Sequence, residues 1–270
     1  MNEQEALDRD LYMASIRGDY EGVKILVEAG ARINSGGTIG NPLIIASNRG
    51  YLNIVKYLVE RGADINFTYG GVTPLIEASK KGHFDIVKYL VDKGAHINEY
   101  DWDGLTALGH ASARGYLNIV KYLAEHGALL DLGDINHKLP VDMAIEGSRV
   151  DIVKYLLSKG ADYNHLRNNP MFKEILQNET NTMKRELTNA YLSLERTTPQ
   201  MYGKSAVPKS LLLKMVYEKP YQEYCSNIGR GLPPLQLVAL ANILKLEYNI
   251  DISWINLCNR VEQVLKLLLG

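Results

Sequence analysis

The stretch Ile86-Val87-Lys88-Tyr89-Leu90 decides the architecture of this chain. The same five letters stand at residues 54–58, 119–123 and 152–156, and a relative, Gly-Val-Lys-Ile-Leu, stands at residues 22–26. With the valine as marker, the copies fall at Val23, Val55, Val87, Val120 and Val153, at intervals of 32, 32, 33 and 33 residues. A fixed period of that size marks stacked structural repeats, each too small to bury its own apolar face.

Working outward from the marker, Thr73-Pro74-Leu75-Ile76-Glu77-Ala78-Ser79 precedes it, followed by two lysines and Gly82-His83. Threonine suits a helix N-cap and proline the first helical position, so a first helix is predicted to start here. Ala78 leaves room for a close helix approach, and Gly82 fits the tight turn between two antiparallel helices. After the marker comes Lys93-Gly94-Ala95-His96-Ile97-Asn98, where Gly94 ends the second helix in a left-handed cap. Residues 98–104 are polar and turn-rich, as a projecting loop should be. The glycine pairs Gly36-Gly37 and Gly70-Gly71 fall at loop tips, where positive φ is the expectation.

This grammar resembles the ankyrin repeat. Thr-Pro-Leu-x-x-Ala, then Gly-His, Ile-Val and Gly-Ala-x-Ile-Asn, matches that family's consensus over roughly residues 7–169. The resemblance implies an all-α fold, a solenoid of stacked helix pairs with projecting hairpin loops. Five units are expected, with first helices beginning near Asp10, Asn41, Thr73, Thr106 and Leu139. The first unit has Arg9-Asp10-Leu11 where Thr-Pro-Leu is expected, and the fifth has Ser148 where the turn glycine belongs. Terminal units tolerate such departures because one of their faces meets water. The expected organisation is an ankyrin array over 1–169, capping helices over 170–198, a linker over 199–208 and a small C-terminal helical domain over 209–270.

In the family this chain resembles, the residue before the first-helix alanine and the one four later line a concave groove. Those two lie one helical turn apart on one face. Here the earlier row reads Met13, Ile45, Glu77, His110 and Met143, and the later row Arg17, Arg49, Lys81, Arg114 and Gly147. Two readings of the four cations stand. They complement the helix dipole at exposed helix ends, with Glu77 and Lys81 pairing at i,i+4. Alternatively, they form a basic stripe for an acidic or phosphorylated peptide. A second candidate surface is the loop tips, with Phe67 and Tyr69 on one loop and Tyr100 and Trp102 on the next, among Glu99, Asp101 and Asp103. Exposed Trp and Tyr are typical interface anchors, although packing on neighbouring loops also accounts for them. The recurring lysine at Lys56, Lys88, Lys121 and Lys154 reads as a solvated helix face, and Asn66 and Asn98 as loop-backbone partners.

Composition is ordinary, with 46% hydrophobic and 23% charged residues. A formal net charge of -1 gives no general attraction to nucleic acid or anionic membrane. The two cysteines, Cys225 and Cys258, form no disulfide framework and suit a reducing compartment. The acidic start is not a signal peptide, and no apolar run approaches the roughly 20 residues that span a bilayer. A cytoplasmic protein is expected. Abundant Asn, Ile, Lys and Tyr suit an AT-rich genome such as that of a giant virus or amoeba, and the compartment of a viral protein would be host cytoplasm.

No catalytic constellation stands out. The six histidines scatter over different repeat positions, His83 taking the turn position of its unit. Neither His-Glu-x-x-His nor paired Cys-x-x-Cys occurs, so no metal, cofactor or small-molecule substrate is expected. Near the C-terminus, Leu232-Pro233-Pro234-Leu235-Gln236-Leu237, Ile243-Leu244 and Leu257-Cys258 resemble a degenerate F-box. That likeness implies a Skp-type ubiquitin-ligase subunit as partner, but Trp254 precedes the cysteine where the F-box pattern has it following. Leu237, Leu240 and Ala241 with Leu257-Cys258 are also similar to SAP-like helix pairs, and a plain structural helical domain is preferred to both readings. The function expected is non-enzymatic protein binding through groove and loop tips, with a ligase adaptor as the alternative.

Overall fold

A computed structural model describes residues 2–37 and 40–178, and the chain divides into two compact units, Met1–Val153 and Lys154–Gly270. The second expected capping helix, the linker, the C-terminal helical domain and the F-box-like and SAP-like segments lie outside the described residues. Within the first unit, helices come in antiparallel pairs: α1 (Glu3–Arg17) with α2 (Tyr20–Glu28), α3 (Pro42–Arg49) with α4 (Leu52–Glu60), and α5 (Pro74–Lys81) with α6 (Phe84–Asp92). The pairs continue with α7 (Ala107–Arg114) and α8 (Leu117–Glu125); α9 (Pro140–Glu146) and α10 (Val150–Ser158) follow in chain order, α10 crossing into the second unit. First helices α1, α3, α5, α7 and α9 pack in succession, as a solenoid requires. No strand forms among the described residues, and single antiparallel bridges such as Tyr69 to Val72 close the loops.

Local chemistry sets the helix ends. Asn41, Thr73 and Thr106 each accept a hydrogen bond from the backbone N–H three residues on, at 2.9, 3.1 and 3.1 Å. Leu139 has no side-chain cap to offer, and the Asp142 carboxylate instead accepts from its N–H at 2.8 Å. At the other end, Gly18, Gly50, Gly82 and Gly115 take φ between 73° and 88°, which directs the chain straight into the second helix. The following turn residue of the next unit lies over each glycine. A Cβ at Gly82 would stand 2.7 Å from the Tyr116 ring, and one at Gly50 would stand 2.6 Å from the His83 ring. His83 also donates from Nε2 to the Asn48 carbonyl at 2.9 Å. Ser148 keeps the same left-handed turn at φ 55°, and its exposure explains why a side chain is tolerated there.

The marker motif supplies the core. Ile86, Val87 and Leu90 are buried, as are Ile54, Val55, Leu58, Ile119, Val120 and Leu123, while Lys56, Lys88 and Lys121 face solvent. Losing any one of these isoleucines or leucines to alanine would cost about 2–5 kcal/mol. Asparagines link neighbouring units: Asn34, Asn66 and Asn98 accept from the N–H groups of Asp64, His96 and Leu129 at 2.9, 2.8 and 2.9 Å. Each therefore bonds the backbone of the following unit, not its own loop.

Two expectations need correction. The first helix begins at Glu3 and not near Asp10, because Asn2 and Glu5 form a reciprocal capping box that starts it earlier. The extra stretch, about two turns long, carries Asp8, which is buried and accepts from the Arg32 N–H and Nε, both at 2.7 Å. At Gly36-Gly37 neither residue is left-handed; Gly37 is needed because a Cβ there would stand 2.6 Å from the Tyr12 ring. Gly70 and Gly71 do have positive φ, 57° and 74°, as a two-residue primed turn demands. In the second unit the described residues finish α10, make a 3-10 turn at Asn164–Asn168 and become helical again at 170–178. Tyr163 stacks on Phe172 there, with ring centroids 5.5 Å apart.

Candidate partner-binding surface

The four predicted groove cations occupy one structural position. Arg17, Arg49, Lys81 and Arg114 are the last residues of α1, α3, α5 and α7, each preceding a left-handed glycine, and all four are exposed. Arg17, Arg49 and Lys81 have no hydrogen-bond or ion-pair partner among the described residues. The earlier row lies deeper, with Ile45, Glu77, His110 and Met143 all buried. Between α1, α3 and α5 runs a shallow cleft of ≈ 260 Å³. Ile16, Ile44 and Ile45 form its apolar lining, and Asn48, Arg49, Glu77, Lys80 and Lys81 its polar lining.

Glu77 is 8% exposed, and its carboxylate is already occupied. It accepts from the Asn48 side-chain amide and lies 3.8 Å from Lys80. The expected i,i+4 pair with Lys81 does not form, because α3 presents Asn48 on one side and Lys80 reaches in at i,i+3. Lys81 is thereby left to solvent. Neither Asn48 nor Lys80 stands out in the sequence, since their part depends on which helix packs alongside.

His110, 4% exposed, works inside the structure. Its Nε2 donates to the Asp101 carboxylate at 2.7 Å, and Arg114 donates to its Nδ1 at 3.2 Å. That arrangement requires a neutral ring protonated at Nε2 only. Burial accordingly pushes the His110 pKa below its ordinary value, with Lys80 and Arg114 adding to the effect and the Asp101 contact opposing it. Asp101 also accepts from the N–H groups of Asp103 and Leu105 at 3.1 and 3.0 Å. A relay thus runs from the groove cation Arg114 through His110 and Asp101 to the loop that carries Trp102.

The loop tips stand side by side. Trp102 is 72% exposed and Tyr100 62%, with Tyr69 also exposed on the preceding loop. The Trp102 ring lies against the backbone of Gly70, where a Cβ would come within 2.0 Å of it. One edge of the ring is therefore held and the rest is offered to solvent. Phe67 is half-buried, its ring turned toward Gly36. Ile135, on the next loop, is 65% exposed and extends the patch, and its N–H donates to the Asp103 carbonyl at 3.0 Å. The sequence signal for it is one apolar residue between Asp134 and Asn136.

A family model described as ankyrin repeats (3 copies) matches residues 11–101 and 97–167. The chain belongs to the ankyrin-repeat family. Comparison with curated proteins gives no match. Ankyrin repeats are in general protein–protein interaction modules, which agrees with a contact surface built from groove and tips. Among the described residues of this ankyrin protein, no helix is long and apolar enough to cross a membrane. No group of three or more His, Cys, Asp or Glu side chains is placed to hold a metal ion there.

Proposed function

We propose that this ankyrin protein is a non-enzymatic interaction scaffold, an array of five units over 1–169 acting in the cytoplasm. It holds a protein partner on two surfaces joined by the Asp101–His110–Arg114 relay. The groove contributes Arg17, Arg49, Lys81 and Arg114 above Ile45 and Glu77, and the tips contribute Phe67, Tyr69, Tyr100 and Trp102. The exposure of Trp102 carries this reading, because a tryptophan held at one edge and left 72% open is the anchor type that partner surfaces bury.

The test is cross-linking and capture with the full chain, comparing the natural protein with Trp102→Ala plus Tyr100→Ala. A partner seen with the first and reduced at least about tenfold with the second supports the scaffold reading. Identical capture by both refutes it. The ligase-adaptor alternative rests on residues 232–258, which lie outside the described residues. It stands or falls on whether Skp-type subunits co-purify and are lost when residues 229–270 are deleted.

A further inference from the structure

We propose that the groove of α1, α3, α5 and α7 takes an extended acidic segment of the partner protein. That segment has a carboxylate at about every third residue and one aliphatic side chain seated over Ile16, Ile44 and Ile45. This inference rests on the scaffold reading above and names the chemistry of what the scaffold holds.

The spacing comes from the repeat itself. Arg17, Arg49, Lys81 and Arg114 each immediately precede a left-handed turn glycine, so they recur once per first helix at one register. Packed helices lie about 8–10 Å apart. A chain extended in the polyproline II form has three residues per turn and advances about 3.1 Å per residue, so every third side chain faces the groove and about three residues bridge one cation to the next. A helical segment rises only about 1.5 Å per residue and would need a carboxylate about every sixth or seventh position. The row ends where Gly147 replaces the cation in the fifth unit, so the acidic stretch is about ten residues long.

Charge and shape agree on the occupant. Three of the four cations have no partner among the described residues, and the one carboxylate in the cleft, Glu77, is covered by Asn48 and Lys80. The ≈ 260 Å³ cleft falls below the size of a typical small-molecule site of about 300–1,000 Å³ and suits a single aliphatic side chain. Its lining is isoleucine, with no aromatic ring on which a nucleobase could stack. A peptide fits this combination of an apolar floor and a basic rim better than a nucleic acid does.

The test is fluorescence anisotropy on the full chain with labelled peptides about ten residues long. One carries glutamate at every third position and a single isoleucine, and a second has the same composition in scrambled order. A longer peptide with glutamates seven apart and a single-stranded oligonucleotide complete the set. The periodic peptide is expected to bind at least about tenfold tighter than the scrambled one at low salt, with the advantage shrinking as salt rises. Arg49→Glu with Lys81→Glu, each costing about 0.3–1 kcal/mol against the helix dipole and checked by thermal unfolding to leave the chain folded, should remove that advantage, and Arg49→Lys with Lys81→Arg should keep it. Equal binding of periodic and scrambled peptides, or tighter binding of the seven-spaced peptide or the oligonucleotide, overturns the proposal. If it fails while Trp102-dependent capture persists, only the groove chemistry is wrong; if both fail, the scaffold reading falls with it.

Discussion

Replacing Asp101 probes how the Trp102 loop is held. The carboxylate receives three hydrogen bonds, at 3.1 Å from the Asp103 N–H, 3.0 Å from the Leu105 N–H and 2.7 Å from His110. Asp101→Ala strips all three. The buried histidine bond to a charged acceptor is worth about 1.5–3 kcal/mol and each loop amide about 1, so a loss of about 3–5 kcal/mol is expected. Asp101→Asn keeps an oxygen for the loop amides but turns an NH2 toward His110. The ring cannot answer by moving its proton to Nδ1, because Arg114 already donates there. One bond is lost either way, at about 1–2 kcal/mol. Urea unfolding measures both costs. Trp102 emission, isolated by Trp254→Phe at the only other tryptophan, reports the loop and should shift for Ala far more than for Asn. Equal costs for the two variants, or unchanged emission in Asp101→Ala, would refute the relay. The histidine adds a pH signature. Its folded pKa lies below the ordinary 6.5, so as pH falls below that value the unfolded chain takes the proton first and stability drops. Above it the contribution is fully present, and His110→Gln should flatten this part of the profile.

Two further perturbations test the scaffold. Gly82→Ala meets both a positive φ of 81° and the Tyr116 ring, at about 1–2 kcal/mol for the first and about 1–3 for the second. A Tyr116→Ala background should remove the second cost alone, which a double-mutant cycle by thermal unfolding decides, and Ser148→Gly should by itself raise stability by about 1 kcal/mol in the same assay. At Asp8 burial works against the charged form, but the Arg32 backbone and guanidinium and the Gln4 amide hold the carboxyl down at about 2. The stability it contributes is present above the ordinary 3.8 and is lost as pH falls through about 2. Asp8→Asn should therefore weaken the fold at neutral pH by about 1–3 kcal/mol and flatten its acid limb, as read by circular dichroism against pH.

What the sequence discloses about this protein follows from the range of the forces involved. Thr73-Pro74, Gly82, Gly94 and the Ile86–Leu90 motif act within one turn of the chain, and their helix pair is legible before any neighbour is known. Asn2 and Glu5 act over the same range, yet in an otherwise polar, acidic terminus they carry no apolar pattern to draw attention, so the start of α1 reads too late. The groove and tips depend on contacts between units. Glu77 turns from Lys81 to Lys80 because Asn48 arrives from 29 residues away. Of the two aspartates that flank Trp102, Asp101 goes inside to meet His110 while Asp103 stays out, a distinction that composition does not carry. Under the proposed scaffold reading the exposed groove and tip positions, Arg17, Arg49, Lys81, Arg114, Tyr100 and Trp102 among them, are where substitution would change what is bound while the isoleucines and valines behind them stay in place. The same logic explains Ser148: in the fifth unit the turn residue is exposed, so the steric demand that enforces glycine at Gly18, Gly50, Gly82 and Gly115 is lifted, and only the cost of its left-handed φ remains.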